Sequence, residues 1–193
     1  MQINKLILLL AFFCFATTIV QAQQEKKTDE ISYNPNAKGD TSKRSIKSAA
    51  VGKIGETTIT ISYHSPGVRG RTIWGGLVTY NDVWVTGAHS ATSLEIDREI
   101  IVAGTVIPQG KYAIFTIPGK DEWVIIINKN WNQHLTDDYL QSEDIVRIKV
   151  KPEQLNEKVE RLQYFIEDNK NGKGIIAMTW ELLKVKFEIT TIR

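Results

Sequence analysis

The sequence predicts a mostly β fold, a single-domain β-sandwich or jelly-roll-like domain with about ten short strands and little helix. Beyond residue 44, apolar residues recur with a period of two rather than 3.6. The alternating segments are short and rich in β-branched side chains. Clusters of Gly, Pro, Asn and Asp separate them, which is the pattern of sandwiches and barrels.

Residues 1–22 are predicted to be a secretory signal peptide. Lys5 supplies a positive charge, residues 6–20 are mostly apolar, and Ala22 ends a small-residue cleavage site. This apolar run is shorter than the roughly 20 residues that span a bilayer, although an uncleaved anchor is the alternative. We expect a periplasmic or secreted protein with no membrane span in the mature chain.

The single cysteine, Cys14, lies inside this apolar run. The bulky Phe13 before it does not suit lipoprotein processing, so we assign Cys14 to the signal peptide. The mature chain is then free of cysteine, which excludes disulfides, thiolate metal sites and a cysteine nucleophile.

Residues 23–43 are polar and are predicted to form a flexible leader before a β-sandwich domain at residues 44–193. The basic stretch at residues 43–53 is interpreted as a solvated lead-in to this domain. The formal net charge of +2 does not provide the clustered basic excess that nucleic-acid binding requires. We therefore expect no nucleic-acid partner.

The predicted strands follow one another in short steps. They cover residues 57–63, 82–86, 93–96, 100–102, 111–117, 122–127, 144–150, 159–166, 175–180 and 184–189. Turn residues at 118–121 and 168–172 predict two hairpins. The continuous apolar run at 124–127 predicts a strand covered on both faces. Pro152 favours one helical turn at 151–155, and residues 132–141 form either a short helix or a loop.

Residues 107–119 (IPQGKYAIFTIPG) resemble a known family, that of the domain of unknown function 2911, which consists of secreted bacterial proteins. Residues 63–71 (YHSPGVRGR), 83–92 (VWVTGAHSAT) and 146–152 (VRIKVKP) extend the resemblance over nearly the whole domain. The resemblance implies export and a β fold, and it implies no mechanism.

Three positions, in two places, depart from the pattern of that family. Val85 stands where the family usually has arginine, and His89 with Ser90 stand where it usually has asparagine and glutamate. If these polar positions form a family site, this chain has lost or rebuilt it.

The loop at residues 64–74 is the strongest candidate for a ligand site. Arg69 and Arg71 are two residues apart and would point the same way in an extended segment, as a clamp for a carboxylate or phosphate. Trp74 and Trp84 would supply an aromatic wall, with His89 beside them. The structural alternative is that the arginines pair with surface carboxylates and the tryptophans fill the core.

The three histidines, His64, His89 and His134, are a weaker alternative as a metal site with an open position. They are far apart in the sequence and lack a paired ligand motif, so we expect no metal and no cofactor. The sequence also lacks a Gly-x-Ser-x-Gly elbow and a nucleotide-binding glycine motif. The acidic residues at 137–144 suit a glycosidase by type, but a solvated acidic loop is the simpler interpretation.

These observations favour a non-catalytic binding module for a small molecule, a glycan or a partner protein. The alternatives are a metal-assisted or carboxylate-based hydrolase of the cell envelope, and a structural envelope component. Trp123 and Trp180 are predicted to be core residues, because both have apolar neighbours on the same period. Tyr112 is predicted to cap a backbone group at a sheet corner.

Overall fold

A computed structural model describes residues 44–192 of the chain. The predicted signal peptide (1–22, with Cys14) and leader (23–43) lie outside these residues, as does residue 193. The described part confirms the mostly β fold and the β-sandwich, since it consists of two antiparallel sheets. The strands are β1 (Ser45–Ile54), β2 (Thr57–Pro66), β3 (Thr92–Ile96), β4 (Ile100–Val102), β5 (Thr105–Ile107), β6 (Gly110–Ile117), β7 (Trp123–Asn128), β8 (Asp144–Val150), β9 (Glu153–Asp168) and β10 (Lys173–Thr191).

The larger sheet has six strands in the order β1-β2-β3-β6-β7-β8, and the smaller has four in the order β5-β4-β10-β9. Both predicted hairpins are confirmed, because β6 pairs with β7 and β9 pairs with β10 in antiparallel register. A short 3-10 helix at Gln141–Glu143 precedes β8. No helix in the described range 44–192 is long and apolar enough to cross a membrane.

The main core lies between the two sheets. Alternate residues of β2, such as Ile59 and Ile61, are fully buried in it, as the period-two pattern requires. Trp123 and Trp180 are also fully buried there, which confirms their prediction as core residues. The hydroxyl of Tyr112 donates to the carbonyl oxygen of Pro108 at 2.7 Å, so the predicted backbone cap is confirmed as well.

A second apolar cluster covers the outer face of the six-stranded sheet. We call it the outer cluster, and its buried members are Val85, Ala91, Ala113, Phe115 and Ile126. Ile125 and Ile127 face the main core while Ile126 faces the outer cluster, which confirms that β7 is covered on both faces. The loops that carry Val85 and Ala91 therefore pack on the sheet as an additional layer.

Four local predictions are wrong. Residues 43–53 are mostly an edge strand, β1, rather than a solvated lead-in, because ten consecutive residues pair with β2. Residues 82–86 do not form a strand, since Trp84 makes only an isolated bridge to Thr116. Residues 151–155 enter the extended strand β9 instead of a helical turn, and residues 175–180 and 184–189 belong to one strand, β10. The short strand β5 was not predicted.

Candidate functional site

An open cleft lies on the outer face of the six-stranded sheet, beside the outer cluster. We call it the outer cleft, and its volume is about 410 Å³. This volume is within the range of roughly 300–1,000 Å³ that is common for small-ligand pockets. The cleft is lined by Lys47, Ser62, Tyr63, His64, Ser90, Ala91, Ser93, Trp131, Asn132, Gln133 and His134.

The floor of the outer cleft follows from the alternation of β2. Ile61 and Tyr63 point into the core, so Ser62 and His64 point to the opposite, outer face. The register of the sheet places Lys47 of β1 directly opposite His64, and Ser93 of β3 directly opposite Ser62. Three neighbouring strands thus place two hydroxyls, an imidazole and an ammonium group on one surface.

The wall of the cleft is the segment from Trp131 to His134, which is held against the loop that precedes β3. The Ala91 amide donates to the Gln133 carbonyl at 3.0 Å, and the Leu135 amide donates to the His89 carbonyl at 2.6 Å. The buried Gln133 amide group donates to the carbonyl of Asn130 at 2.7 Å and accepts from the Asp138 amide at 3.2 Å. These bonds fix a segment that has no regular secondary structure.

Trp131 is the aromatic residue of the wall, and 38% of it is exposed. The Lys111 ammonium group lies 4.3 Å from the centroid of its ring, a cation–π arrangement. Lys111 in turn lies 3.7 Å from a carboxylate oxygen of Glu95, its partner in the β3–β6 ladder. An exposed tryptophan held in this way is suited to contact a ligand rather than to stabilise the core.

The three histidines come close to the same cleft without forming a metal site. The rings of His64 and His89 meet edge to face with centroids 5.2 Å apart, whereas His134 pairs through Nδ1 with Asp137 Oδ2 at 3.1 Å. Within residues 44–192, no group of three His, Cys, Asp or Glu residues is arranged to hold a metal ion. The proposed alternative ligand set of His64, His89 and His134 is therefore not assembled.

His64 has a perturbed acid–base equilibrium. Its partial burial lowers its pKa below the ordinary value of 6.5, and the neighbouring His89 and Lys47 lower it further. The neutral form of the imidazole is therefore favoured more than in a free histidine, and a negative charge in the cleft would act in the opposite direction.

The two arginines of the predicted clamp do not line the outer cleft. The Arg71 guanidinium donates to its own turn, at 2.6 Å from Nη2 to the Gly67 carbonyl and 3.2 Å from Nε to the Val68 carbonyl. Arg69 is exposed, and its backbone amide donates to the Glu160 carboxylate at 2.8 Å. The structure thus gives Arg71 a turn-stabilising role and does not bring the two side chains together with the aromatic residues.

The predicted aromatic wall is part of the core. Trp74 packs edge to face against Trp84, Trp123 and Trp180, with ring centroids 5.9, 4.9 and 5.7 Å away. Trp84 stacks on Trp180 at 5.8 Å, and its indole N–H donates to the carbonyl of Gly87 at 3.2 Å. These four tryptophans form one cluster, which we call the tryptophan cluster. Trp74 is therefore a core residue, which was the alternative to its role in a ligand wall. Trp84 also borders a separate surface groove beside Leu77 and Leu135.

Two of the acidic residues at 137–144, Asp137 and Asp144, have side-chain partners, whereas Oε2 of Glu143 is buried without a hydrogen-bond partner among residues 44–192. Asp144 accepts hydrogen bonds of 2.8 Å from each of Asn128, Tyr139 and Arg147. Asp137 is bound to His134, and neither Asp137 nor Asp144 lines the outer cleft. In the described part of the chain, no serine hydroxyl is hydrogen-bonded to a histidine ring, so a serine–histidine pair is not formed there.

Sequence reasoning found His64, His89 and His134 but missed the residues that surround them. Ser62 and His64 could have been found from the alternation of β2, which places both opposite the core. The position of Lys47 beside His64 could be predicted only if β1 was recognised as a strand. The position of Ser93 beside Ser62 could be predicted only from the register between β2 and β3. Trp131 and Gln133 belong to an irregular loop whose position is fixed only by tertiary hydrogen bonds.

Residues 45–189 of the chain match the model of a family described as "Protein of unknown function (DUF2911)". No curated protein and no solved structure matches the chain. The match covers β1 through most of β10, including every residue that lines the outer cleft.

Proposed function

The chain belongs to the DUF2911 family, and we propose that it is an exported, non-catalytic β-sandwich that binds a small molecule or glycan in the outer cleft. The pattern of residues 1–22 supports the export, and the outer cleft supports the binding. The ligand is a small polar compound, because hydroxyl, amide and imidazole groups surround the one exposed aromatic ring of the cleft.

The observation that carries this proposal is the pairing of Trp131 with a polar floor. Tryptophan offers a large, rigid surface for an apolar ligand face, such as one face of a sugar ring. Ser62, Ser93 and Asn132 offer hydrogen-bond donors and acceptors beside it. Specific small-molecule sites combine these two kinds of lining in a preformed concavity.

Hydrolysis is the weaker proposal, because within residues 44–192 no acidic residue lines the outer cleft and no serine hydroxyl is bonded to a histidine ring. A general base must reach the nucleophile within hydrogen-bond distance, and the described serines have no histidine partner of this kind. The Asp144 carboxylate accepts hydrogen bonds from Asn128, Tyr139 and Arg147. A binding function requires none of these groups to be free.

A ligand-observed NMR screen of the purified protein tests the binding function. The library contains neutral and acidic saccharides and small organic acids, and each hit is repeated with Ser62→Phe, which places a large side chain on the cleft floor. Thr60→Phe is the matched control, since Thr60 lies on the same face of β2 but outside the cleft.

We expect hits that are lost in Ser62→Phe and kept in Thr60→Phe, and protein-observed spectra of each hit should show a shift of the Trp131 indole resonance. If no compound binds, or if every hit survives Ser62→Phe, the proposed function is wrong. Thermal melts of both variants identify a loss of binding that is caused by unfolding.

A further inference from the structure

The basic and acidic side chains are unevenly distributed in the outer cleft. Lys47, His64 and His134 line it, whereas its described lining contains no aspartate or glutamate. Because the chain as a whole has a formal net charge of only +2, this one-sided lining is a local property of the site.

The groups that face the cleft from neighbouring elements do not cancel this positive character. His89 of the preceding loop adds a further protonatable ring against His64. Two carboxylates lie nearby, and each already contacts a basic side chain. Glu95 of β3 is bound to Lys111 of β6, and Asp137 is bound to His134. Lys47 and His64 are thus left facing each other without an acidic partner in the described ion pairs.

A lysine directly opposite a histidine is unfavourable for the sheet once the histidine is protonated, because like charges across a ladder repel. The lowered pKa of His64 reflects burial first and then the charges of His89 and Lys47. An arrangement of this kind in a cleft is a candidate for a functional site, and a bound anion would supply the counter-charge that the described ion pairs do not provide.

We propose that the outer cleft binds an oxyanion group of its ligand, a carboxylate or a phosphate, between Lys47 and His64. The inference deepens the binding function proposed above and rests on it. The Lys47 ammonium and the His64 imidazolium are charged donors for the oxyanion, and such hydrogen bonds are about twice as strong as neutral ones.

The serine hydroxyls complete the site. Ser62 and Ser93 lie opposite each other beside His64, and within residues 44–192 neither hydroxyl is hydrogen-bonded to another protein group. Each hydroxyl has one O–H donor that can rotate toward an oxyanion. A bound oxyanion also favours protonation of His64, so the affinity rises as the pH falls through the range in which His64 titrates.

NMR titration with inorganic phosphate and with acetate tests this inference, using the His64 imidazole resonances and sodium chloride at matched ionic strength as the reference. We expect saturable shifts with both oxyanions, a raised His64 pKa in their presence, and no saturation with chloride. Lys47→Met is expected to weaken binding by about tenfold or more, the equivalent of about 1.4 kcal/mol. Lys53→Met is the matched control, because Lys53 lies on the same face of β1 outside the cleft.

The source of the oxyanion is distinguished by three further ligands. Trigalacturonate presents carboxylates on a sugar, its methyl ester presents the same sugar without charge, and glucose 6-phosphate presents a phosphate. Binding of the acid but not of the ester identifies an acidic glycan, and preferential binding of glucose 6-phosphate identifies a phosphate ester.

The outcomes separate this inference from the proposed function. Phosphate and acetate titrations that coincide with chloride, or equal effects of Lys47→Met and Lys53→Met, would overturn the oxyanion site. Acidic ligands that are lost in Ser62→Phe but bind fully to Lys47→Met would also overturn it while leaving the binding function intact. The absence of any ligand sensitive to Ser62→Phe would remove both.

Discussion

His64 and His89 meet edge to face on the outer surface of the six-stranded sheet, with ring centroids 5.2 Å apart and ring planes at 73°. Burial, His89 and Lys47 together lower the pKa of His64 from 6.5. A histidine with a lowered pKa in the folded state binds protons more readily when the chain is unfolded. Below about pH 6.5, the free energy of unfolding therefore decreases as the pH falls toward the pKa of folded His64.

We expect His64→Gln to reduce the loss of thermal stability between about pH 7.5 and about pH 5.5, because glutamine does not take up a proton. The measurement is the melting temperature of both proteins across this range in chloride buffers. His134→Gln is the control, since the exposed His134 pairs with Asp137 and does not contact His64 or Lys47 in the described ion pairs and ring contacts. An acid-induced loss that is identical in wild type and His64→Gln would contradict the role of His64.

The raised pKa of Tyr139 predicts a change in stability at alkaline pH. Partial burial, a hydrogen bond to Asp144 and the charge of Asp144 raise the pKa of Tyr139 to about 12 from 10.0. The stability from this group is complete below pH 10 and is lost as the pH rises through about 12, since the folded state retains the proton longer. Between these two pH values, the free energy of unfolding should therefore decrease less steeply with pH in Tyr139→Phe than in the wild type.

The same substitution also has an effect at neutral pH. Removal of the hydroxyl deletes a 2.8 Å bond to Asp144, and we expect a loss of about 1 kcal/mol in urea unfolding. The edge-to-face contact between Phe115 and Tyr139 at 5.2 Å is preserved by phenylalanine. If Tyr139→Phe loses stability at alkaline pH as steeply as the wild type does, another tyrosine is responsible. Tyr164 would be the candidate, because its burial also raises its pKa.

The tryptophans separate into core and site residues, and substitution distinguishes them. Trp74→Ala removes a ring that contacts three other tryptophans, and we expect it to destabilise the fold by roughly 3–5 kcal/mol. Trp131→Ala removes a partly exposed ring and should change stability by less than about 1 kcal/mol while reducing ligand binding. Urea unfolding of both variants is the measurement, and a larger loss for Trp131→Ala would contradict this assignment.

Much of the sandwich could be predicted from sequence because its strands alternate strongly. In β2 the pattern placed Ile59 and Ile61 inside and left His64 on the opposite face. The strand β1 was missed because its small residues and lysines resemble a solvated segment, and its order comes from pairing with β2. Periodicity carries no information on such pairing.

The candidate site was harder to predict for a related reason. Its wall is an irregular loop that includes Trp131 and Gln133, and hydrogen bonds to distant residues fix that loop. Trp74 in a glycine-rich loop was assigned to a ligand wall, because an aromatic side chain in such a loop has the same local pattern whether it faces a ligand or the core. Only the packing against Trp123 and Trp180 decides between the two.

The turn after β2 provides a direct test of the arginine assignment. Since the Arg71 guanidinium donates to the carbonyls of Gly67 and Val68, Arg71→Ala should lower the free energy of unfolding by about 1 kcal/mol. Arg69→Ala is the matched control, because the contact of Arg69 with Glu160 is made by its backbone amide and survives truncation.

Binding of phosphate and of acetate is measured beside stability for both arginine variants. We expect both to bind these anions with wild-type affinity, because neither side chain lines the outer cleft. A loss of anion affinity in Arg69→Ala and Arg71→Ala, with stability unchanged, would instead restore the arginine clamp as the ligand site and displace the site between Lys47 and His64.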